Sequence, residues 1–363
     1  MIKIGLLRNS KKKQQEREIK NVLKKSKKLN KTVLPLFAFG TKNLGLDSNN
    51  GKQILENFVK NWFKNPELYL NVDKFSENIQ KPRVYKATDR NEICFNFQSF
   101  IDQDDIAKFY ESRQPFYGRK EKIAFIILPH WNAYFRKYKF GTAIIRNFFL
   151  PVATYRYFPT YATEKNYIGH SRYDIIGPNI GLTIKRFWQD ILNIQYFAKY
   201  LKEQLGYNKV GIWAYSIGSP RGYLACMFSE NLFDYLIMNF LAESFPESLT
   251  RGIVTKKIGD EILKNISEKE LDYLLSPLSP GKYISYIKNL PKHTRLVQSK
   301  YDLVFGEENN KRMVQKLQEF APFADIEYGN FGHTTYGEIE KVIPIIRRNS
   351  KFVFQNSKLS FLI

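Results

Sequence analysis

Residues 210–218 (VGIWAYSIG) constrain the fold of this chain more than any other stretch. An apolar, β-prone run stops at Ser216, and a helical pattern begins at once, with Gly218, Gly222 and Ala225 on one helical face. A serine on so abrupt a strand-to-helix turn has the layout of a nucleophile elbow. Such a turn demands small residues two places before and two places after the serine, because larger side chains would collide across it. Ala214 and Gly218 meet that demand, although Ala214 is one methyl larger than the glycine commoner there. The helix that follows is expected to lie close against a sheet.

Two further segments continue the pattern. Residues 294–299 read as a short strand leading into a loop that carries Asp302, and residues 325–329 as another strand followed by His333. The chain order is therefore Ser216, Asp302, His333, each residue on a loop after a strand. A serine hydroxyl is a weak nucleophile at neutral pH and needs a base within hydrogen-bond reach. Histidine can accept its proton, and an acid can orient the imidazole and stabilise the imidazolium. Glu243, which also follows a strand, and Asp325, which begins one, are the alternative acids; Asp302 is preferred to both. Upstream, the apolar run 122–128 ends in Pro129, His130, Trp131 and Asn132.

In these residues the chain resembles the α/β-hydrolase superfamily, over roughly residues 80–350. It leans toward the branch of dienelactone-hydrolase-like esterases and uncharacterised hydrolase-domain proteins, to which residues 275–284 are also similar. The resemblance implies an oxyanion hole built from the N–H of Ile217 and a second N–H on the loop after residue 128. Where such enzymes often have His-Gly in that loop, this chain has His130 and Trp131, so the second donor is Trp131 or Asn132. His130 itself is expected to shape the loop, and His170 and His293 to be ordinary loop histidines.

The rest of the chain fits an α/β fold with a mostly parallel sheet flanked by helices. Residues 83–100 alternate as a hairpin around residues 89–91, and residues 152–158 read as a strand. Helices are expected near 135–149 and over 182–205, the latter with Ile184, Phe187, Ile191, Ile194, Ala198, Leu201 and Leu205 on one stripe. Two units are expected: a basic N-terminal extension, 1–79, and a hydrolase-like domain, 80–355. Residues 244–290 form a candidate lid, with Leu271, Leu274, Leu275 and Leu278 as its apolar underside, or else a plain surface helix pair. Within the extension, Ile54, Phe58 and Trp62 recur at helical spacing, so residues 51–64 should be an amphipathic helix that packs on the main domain or lies on a membrane, packing being preferred.

Charge is the other outlier. Residues 1–31 carry twelve Lys/Arg against Glu16 and Glu18, which is nearly half of the formal net charge of +22. Residues 9–31 could form a basic helix, but a solvated, mobile lysine-rich tail is the plainest reading. Attraction to an anionic membrane surface is the next, and the absence of a reading module argues against nucleic acid. On the membrane reading, deleting residues 1–31 lowers activity on lipid esters at vesicles but leaves turnover of small soluble esters nearly unchanged, since Ser216, Asp302 and His333 lie far along the chain. Cys94 and Cys226 are too few for a disulfide framework and suit buried thiols in a reducing, cytoplasmic setting, peripheral to a membrane at most. No spacing suits a metal site or a nucleotide, so no cofactor is expected. The expected chemistry is hydrolysis of a small-molecule or lipid ester through an acyl-enzyme on Ser216. An acyltransferase using the same residues and a catalytically silent adaptor are the alternatives.

Overall fold

The computed structural model describes residues 2–30, 38–39, 50–78, 81–87, 92–101, 106–113, 122–130, 152–159, 175–334 and 339–357. The sheet opens with a hairpin, β1 (Arg83–Ala87) against β2 (Glu92–Gln98), whose expected turn at 89–91 lies outside the described residues. β3 (Ile106–Arg113) extends it antiparallel. This strand was not expected from the sequence, because Lys108, Glu111 and Arg113 interrupt its apolar residues; Ala107 and Phe109, two apart, supply the buried face.

The remaining strands are parallel to one another. They are β4 (Ile123–Leu128), β5 (Ala153–Pro159), β6 (Lys209–Tyr215), β7 (Tyr235–Asn239), β8 (His293–Tyr301) and β9 (Asp325–Gly332). The described strands form one sheet in the order β1-β2-β3-β5-β4-β6-β7-β8-β9. β4 shows why its sequence is apolar at every position. Ala124, Ile126 and Leu128 face one core, while Ile123, Phe125 and Ile127 face the other. Strands buried on both faces need no polar alternation.

Helices cover both faces. α1 (Ile2–Asn30) lies against β9, and α2 (Gly51–Lys64) and α3 (Glu67–Leu70) precede the sheet in sequence. α4 (Ile180–Glu203) buries the stripe foreseen from its sequence up to Leu201, while Leu205 lies past its end and is partly buried, and α5 (Gly218–Met227) follows β6. Between β7 and β8 come α6 (Phe245–Arg251), α7 (Lys256–Leu263), α8 (Glu268–Leu275) and two 3-10 segments. α9 (Glu307–Phe320) joins β8 to β9, and α10 (Ile339–Gln355) covers the second core with Ile346 and Val353. The helix expected near 135–149 lies outside the described residues.

One expectation about the periphery changes. Residues 2–30 form a helix where a tail was the preferred reading of residues 9–31, and Glu18 and Val22, one turn apart, are fully buried. α2 packs on the main core as expected, but its fully buried apolar residues are Leu55, Val59 and Trp62, while Ile54 and Phe58 are only partly buried. The Trp62 ring stacks on Tyr69 at 4.9 Å and meets Trp188 of α4 edge-on at 5.6 Å. The candidate lid is tied to the same place. Trp62 donates to the Tyr283 hydroxyl at 2.7 Å, Lys52 pairs with Glu270, and Leu271, Leu274, Leu275 and Leu278 are buried in the core. Both cysteines are buried free thiols, and burial pushes the Cys226 thiol up.

Candidate active site

β6, β8 and β9 all end at the same edge of the parallel sheet, and each delivers one polar residue there. Ser216 follows β6, Asp302 follows β8 and His333 follows β9. The Ser216 hydroxyl lies 2.7 Å from His333 Nε2, and His333 Nδ1 lies 2.8 Å from Asp302 Oδ2. The other oxygen of Asp302 accepts the backbone N–H groups of Val304 at 2.8 Å and Phe305 at 2.9 Å. Asp302 is wholly buried, which opposes its charge, yet His333 and the Phe305 N–H hold its carboxyl below its ordinary value. The imidazole is fixed from two sides: Phe240 stacks on it at 4.3 Å and Phe305 meets it edge-on at 4.9 Å.

The turn that carries Ser216 is strained. Its φ is +52°, a left-handed conformation that costs a non-glycine residue about 1–2 kcal/mol. Hydrogen bonds hold it there: Ser216 N–H donates to the Asn239 carbonyl at 2.8 Å, Ser219 N–H donates to the Ser216 carbonyl at 2.8 Å, and Asn239 Nδ2 donates to the Ala214 carbonyl at 3.0 Å. The small residues are explained by what surrounds them. A Cβ at position 218 would lie 2.9 Å from both the Leu128 and the Pro129 carbonyl oxygens. At position 222 it would lie 2.9 Å from Ile212 Cγ2, so α5 sits directly on β4 and β6 as the sequence demanded. Ile217 caps α5, where helix geometry leaves its N–H without an intrahelical acceptor.

No known family profile matches the chain, and no curated protein sequence does. Solved structures do. An acylaminoacyl peptidase from Pyrococcus horikoshii superposes with a TM-score of 0.53 at 14% identity, covering 79% of this chain. An acetyl xylan esterase from Thermoanaerobacterium sp. JW/SL YS485 gives 0.50 at 11% identity, covering 86% of this chain and 96% of the esterase. A lipase in its open form gives 0.50 at 11% identity, covering 73% and 98%. The chain has the α/β-hydrolase fold. It spans 44% of the length of the peptidase. These neighbours are hydrolases, and they do not single out the dienelactone-hydrolase-like branch.

Within this hydrolase fold the structure brings Ser216, Asp302 and His333 together and leaves the alternative acids elsewhere. Glu243 pairs with Arg312 and, at 2.6 Å, with Lys316, and these cations hold its carboxyl down against the opposing effect of burial. Asp325 pairs with Arg295 at the start of β9. His293 begins β8 and stacks on Tyr235 at 5.1 Å, with burial and the nearby Lys209 lowering its pKa. His130 is exposed at the end of the described loop. Trp131, Asn132 and His170 lie outside the described residues.

One feature of the hydrolase fold here was missed in the sequence. Arg221, fully buried in α5, pairs with the buried Asp190 of α4 and donates to the Ile217 carbonyl at 3.0 Å and the Pro129 carbonyl at 3.2 Å. Tyr157 donates to the other Asp190 oxygen at 2.6 Å. Arg221 therefore ties the residue after Ser216 to the loop that leaves β4. The signal was present as two charges, one inside a helix of small and apolar residues and one beside the apolar stripe of α4.

Proposed function

We propose that the protein is a serine hydrolase that cleaves carboxylic esters through an acyl-enzyme on Ser216. The observation that carries this reading is the unbroken hydrogen-bond chain from the Ser216 hydroxyl through His333 to Asp302. With its proton on Nδ1 and donated to Asp302, His333 presents a lone pair at Nε2 to the serine O–H. As Oγ attacks the ester carbonyl carbon, Nε2 takes the hydroxyl proton and the carbonyl oxygen becomes an oxyanion. The N–H of Ile217 and one from Trp131 or Asn132 are the proposed donors to that oxyanion. Collapse breaks the bond to the alcohol oxygen, which leaves with the proton from Nε2. Water then repeats the sequence on the acyl-enzyme, releasing the acid and restoring Ser216. Asp302 stays ionised and stabilises the imidazolium between steps.

A fluorophosphonate probe tests the nucleophile. The wild-type protein should be labelled on Ser216 and should hydrolyse a 4-nitrophenyl ester, while Ser216→Ala should lose both and remain folded. Labelling of Ser216→Ala at the wild-type rate would overturn the assignment.

A second reading, of the same chemistry on lipid esters at an anionic surface, is favoured by the outward face of α1. Lys12, Lys13, Arg17, Lys20, Lys24 and Lys27 are all exposed there. Ile19 and Leu23 are exposed beside them at 40% and 46%. Cations flanking apolar side chains on one helix suit a negatively charged lipid surface.

A further inference from the structure

Glu18 is out of place for a glutamate in a lysine-rich helix. It is fully buried, on the face of α1 that meets β9, and it faces the segment that carries His333. Its Oε1 accepts the backbone N–H of Thr334 at 2.9 Å, and its Oε2 accepts the Thr334 hydroxyl at 2.8 Å. On the other side of His333, its Cγ and Cδ fill the space that a side chain at Gly332 would occupy. One carboxylate from the N-terminal helix thus contacts both chain neighbours of the candidate base. A carboxylate is taken out of water only when something compensates, and the N–H and hydroxyl of Thr334 both contribute here.

We propose that Glu18 is a positioning residue for His333, so that the seating of α1 sets the reactivity of Ser216. The proposal rests on the reading of Ser216 and His333 given above. β9 ends at Gly332, and the ring of the next residue, His333, must meet Ser216 and Asp302 at once. With Glu18 in place, the backbone that aims the ring is pinned directly before and after it. Without Glu18, the Thr334 N–H loses its acceptor and a void opens beside Gly332, so the turn can relax. A displacement of about 1 Å in a reacting group can lower a rate by about 10²-fold. The expectation that residues 1–31 stand apart from the site because of their distance along the chain is therefore corrected: Glu18 and Thr334 are 316 positions apart and in direct contact.

The experiment follows inactivation by a fluorophosphonate in the full-length wild type, Glu18→Ala and Glu18→Gln. It separates the maximal labelling rate, the half-saturating probe concentration and the fraction of protein that labels. Glu18→Ala should lower the maximal rate by about 10- to 100-fold with the half-saturating concentration little changed. The labelled fraction should stay complete, because the folded protein is slower and not scarcer. Glu18→Gln keeps a carbonyl oxygen for the Thr334 N–H and should stay within a few-fold of wild type. Gly332→Ala, whose methyl would displace Glu18, should mimic Glu18→Ala. The double variant should be no worse than Glu18→Ala, since truncation at 18 makes room at 332. This pair serves if Glu18→Ala alone fails to fold. A reactive wild type with an equally reactive Glu18→Ala and Gly332→Ala overturns the positioning role alone, as does a loss confined to the labelled fraction. A wild type inert to the probe overturns the Ser216 reading, and the positioning role falls with it.

Discussion

The phenyl ring of Phe240 lies stacked on the imidazole of His333, with centroids 4.3 Å apart and planes 21° from parallel. Phe240 holds this position with φ at +70°, a conformation that a bulky residue avoids. Strain of this kind persists only where the surroundings over-determine it. Here the Phe240 N–H donates to the Val297 carbonyl at 2.9 Å, and the ring is buried beside Phe331.

That strain predicts an inverted order of stability. Truncating a buried phenylalanine to alanine usually costs about 3–5 kcal/mol. Glycine would lose the same ring but relieve the left-handed backbone, which is worth about 1–2 kcal/mol. Phe240→Gly should therefore be more stable than Phe240→Ala, the reverse of the usual ranking. Urea denaturation of the two variants decides it, and Ala above Gly would refute the account of strain.

Asp302→Asn should preserve the packing while favouring the wrong imidazole tautomer, with a loss on the order of 10⁴ in kcat. Glu243→Gln should change kcat little, because its carboxylate is engaged with Arg312 and Lys316. Steady-state rates on one soluble ester compare the two, and a larger loss at Glu243 would move the acid.

Stability should also carry the signature of Asp302. Its folded carboxyl binds a proton less tightly than the unfolded one, with His333 and the Phe305 N–H outweighing burial. Between the two values the unfolded state holds more protons, so stability rises with pH. The contribution is complete above the unfolded value, about 3.9, and is lost as pH falls through the lower folded value. Melting curves of wild type and Asp302→Asn should therefore converge on acidification in that window. A gap that widens there would contradict the direction of the shift.

Arg221→Met would leave the carboxylate of Asp190 buried without its cation. Removing one partner of a buried pair costs about 3–5 kcal/mol, whereas replacing both with apolar residues is often neutral. Arg221→Met should lose that much in chemical denaturation, and Arg221→Met with Asp190→Leu should recover most of it. Additive losses would mean that the pair does not act as a unit.

The two faces of α1 should separate experimentally. Neutralising Lys13, Lys20, Lys24 and Lys27 to Gln leaves Glu18 in place, so turnover of a soluble ester should persist. Binding to phosphatidylserine vesicles should fall, because each basic residue near such a surface contributes about 1 kcal/mol. The wild-type interaction should weaken as salt shortens the screening length, which is about 8 Å at physiological ionic strength. Sedimentation with vesicles measures both effects, and equal binding by the two proteins would make the basic face a solvated surface only.

The order Ser216, Asp302, His333 and the parallel sheet beneath it were legible in the sequence because both depend on short-range patterns. A strand buried on both faces is apolar throughout, a tight elbow admits only small flanking residues, and the three reactive types each follow a strand. What the tertiary structure alone decided is which charges leave water. Glu18 and Arg221 read locally as ordinary charged residues, Glu18 among lysines that are solvated, and Arg221 between Pro220 and Gly222. Their roles depend on Thr334, Asp190 and Pro129, which lie far away in sequence and meet them only once α1, α4 and the loop after β4 have packed. Burial turns such a charge from a neutral surface feature into a group that must find a partner. The strain at Phe240 has the same origin, since only the assembled sheet edge can hold a phenylalanine with positive φ against His333.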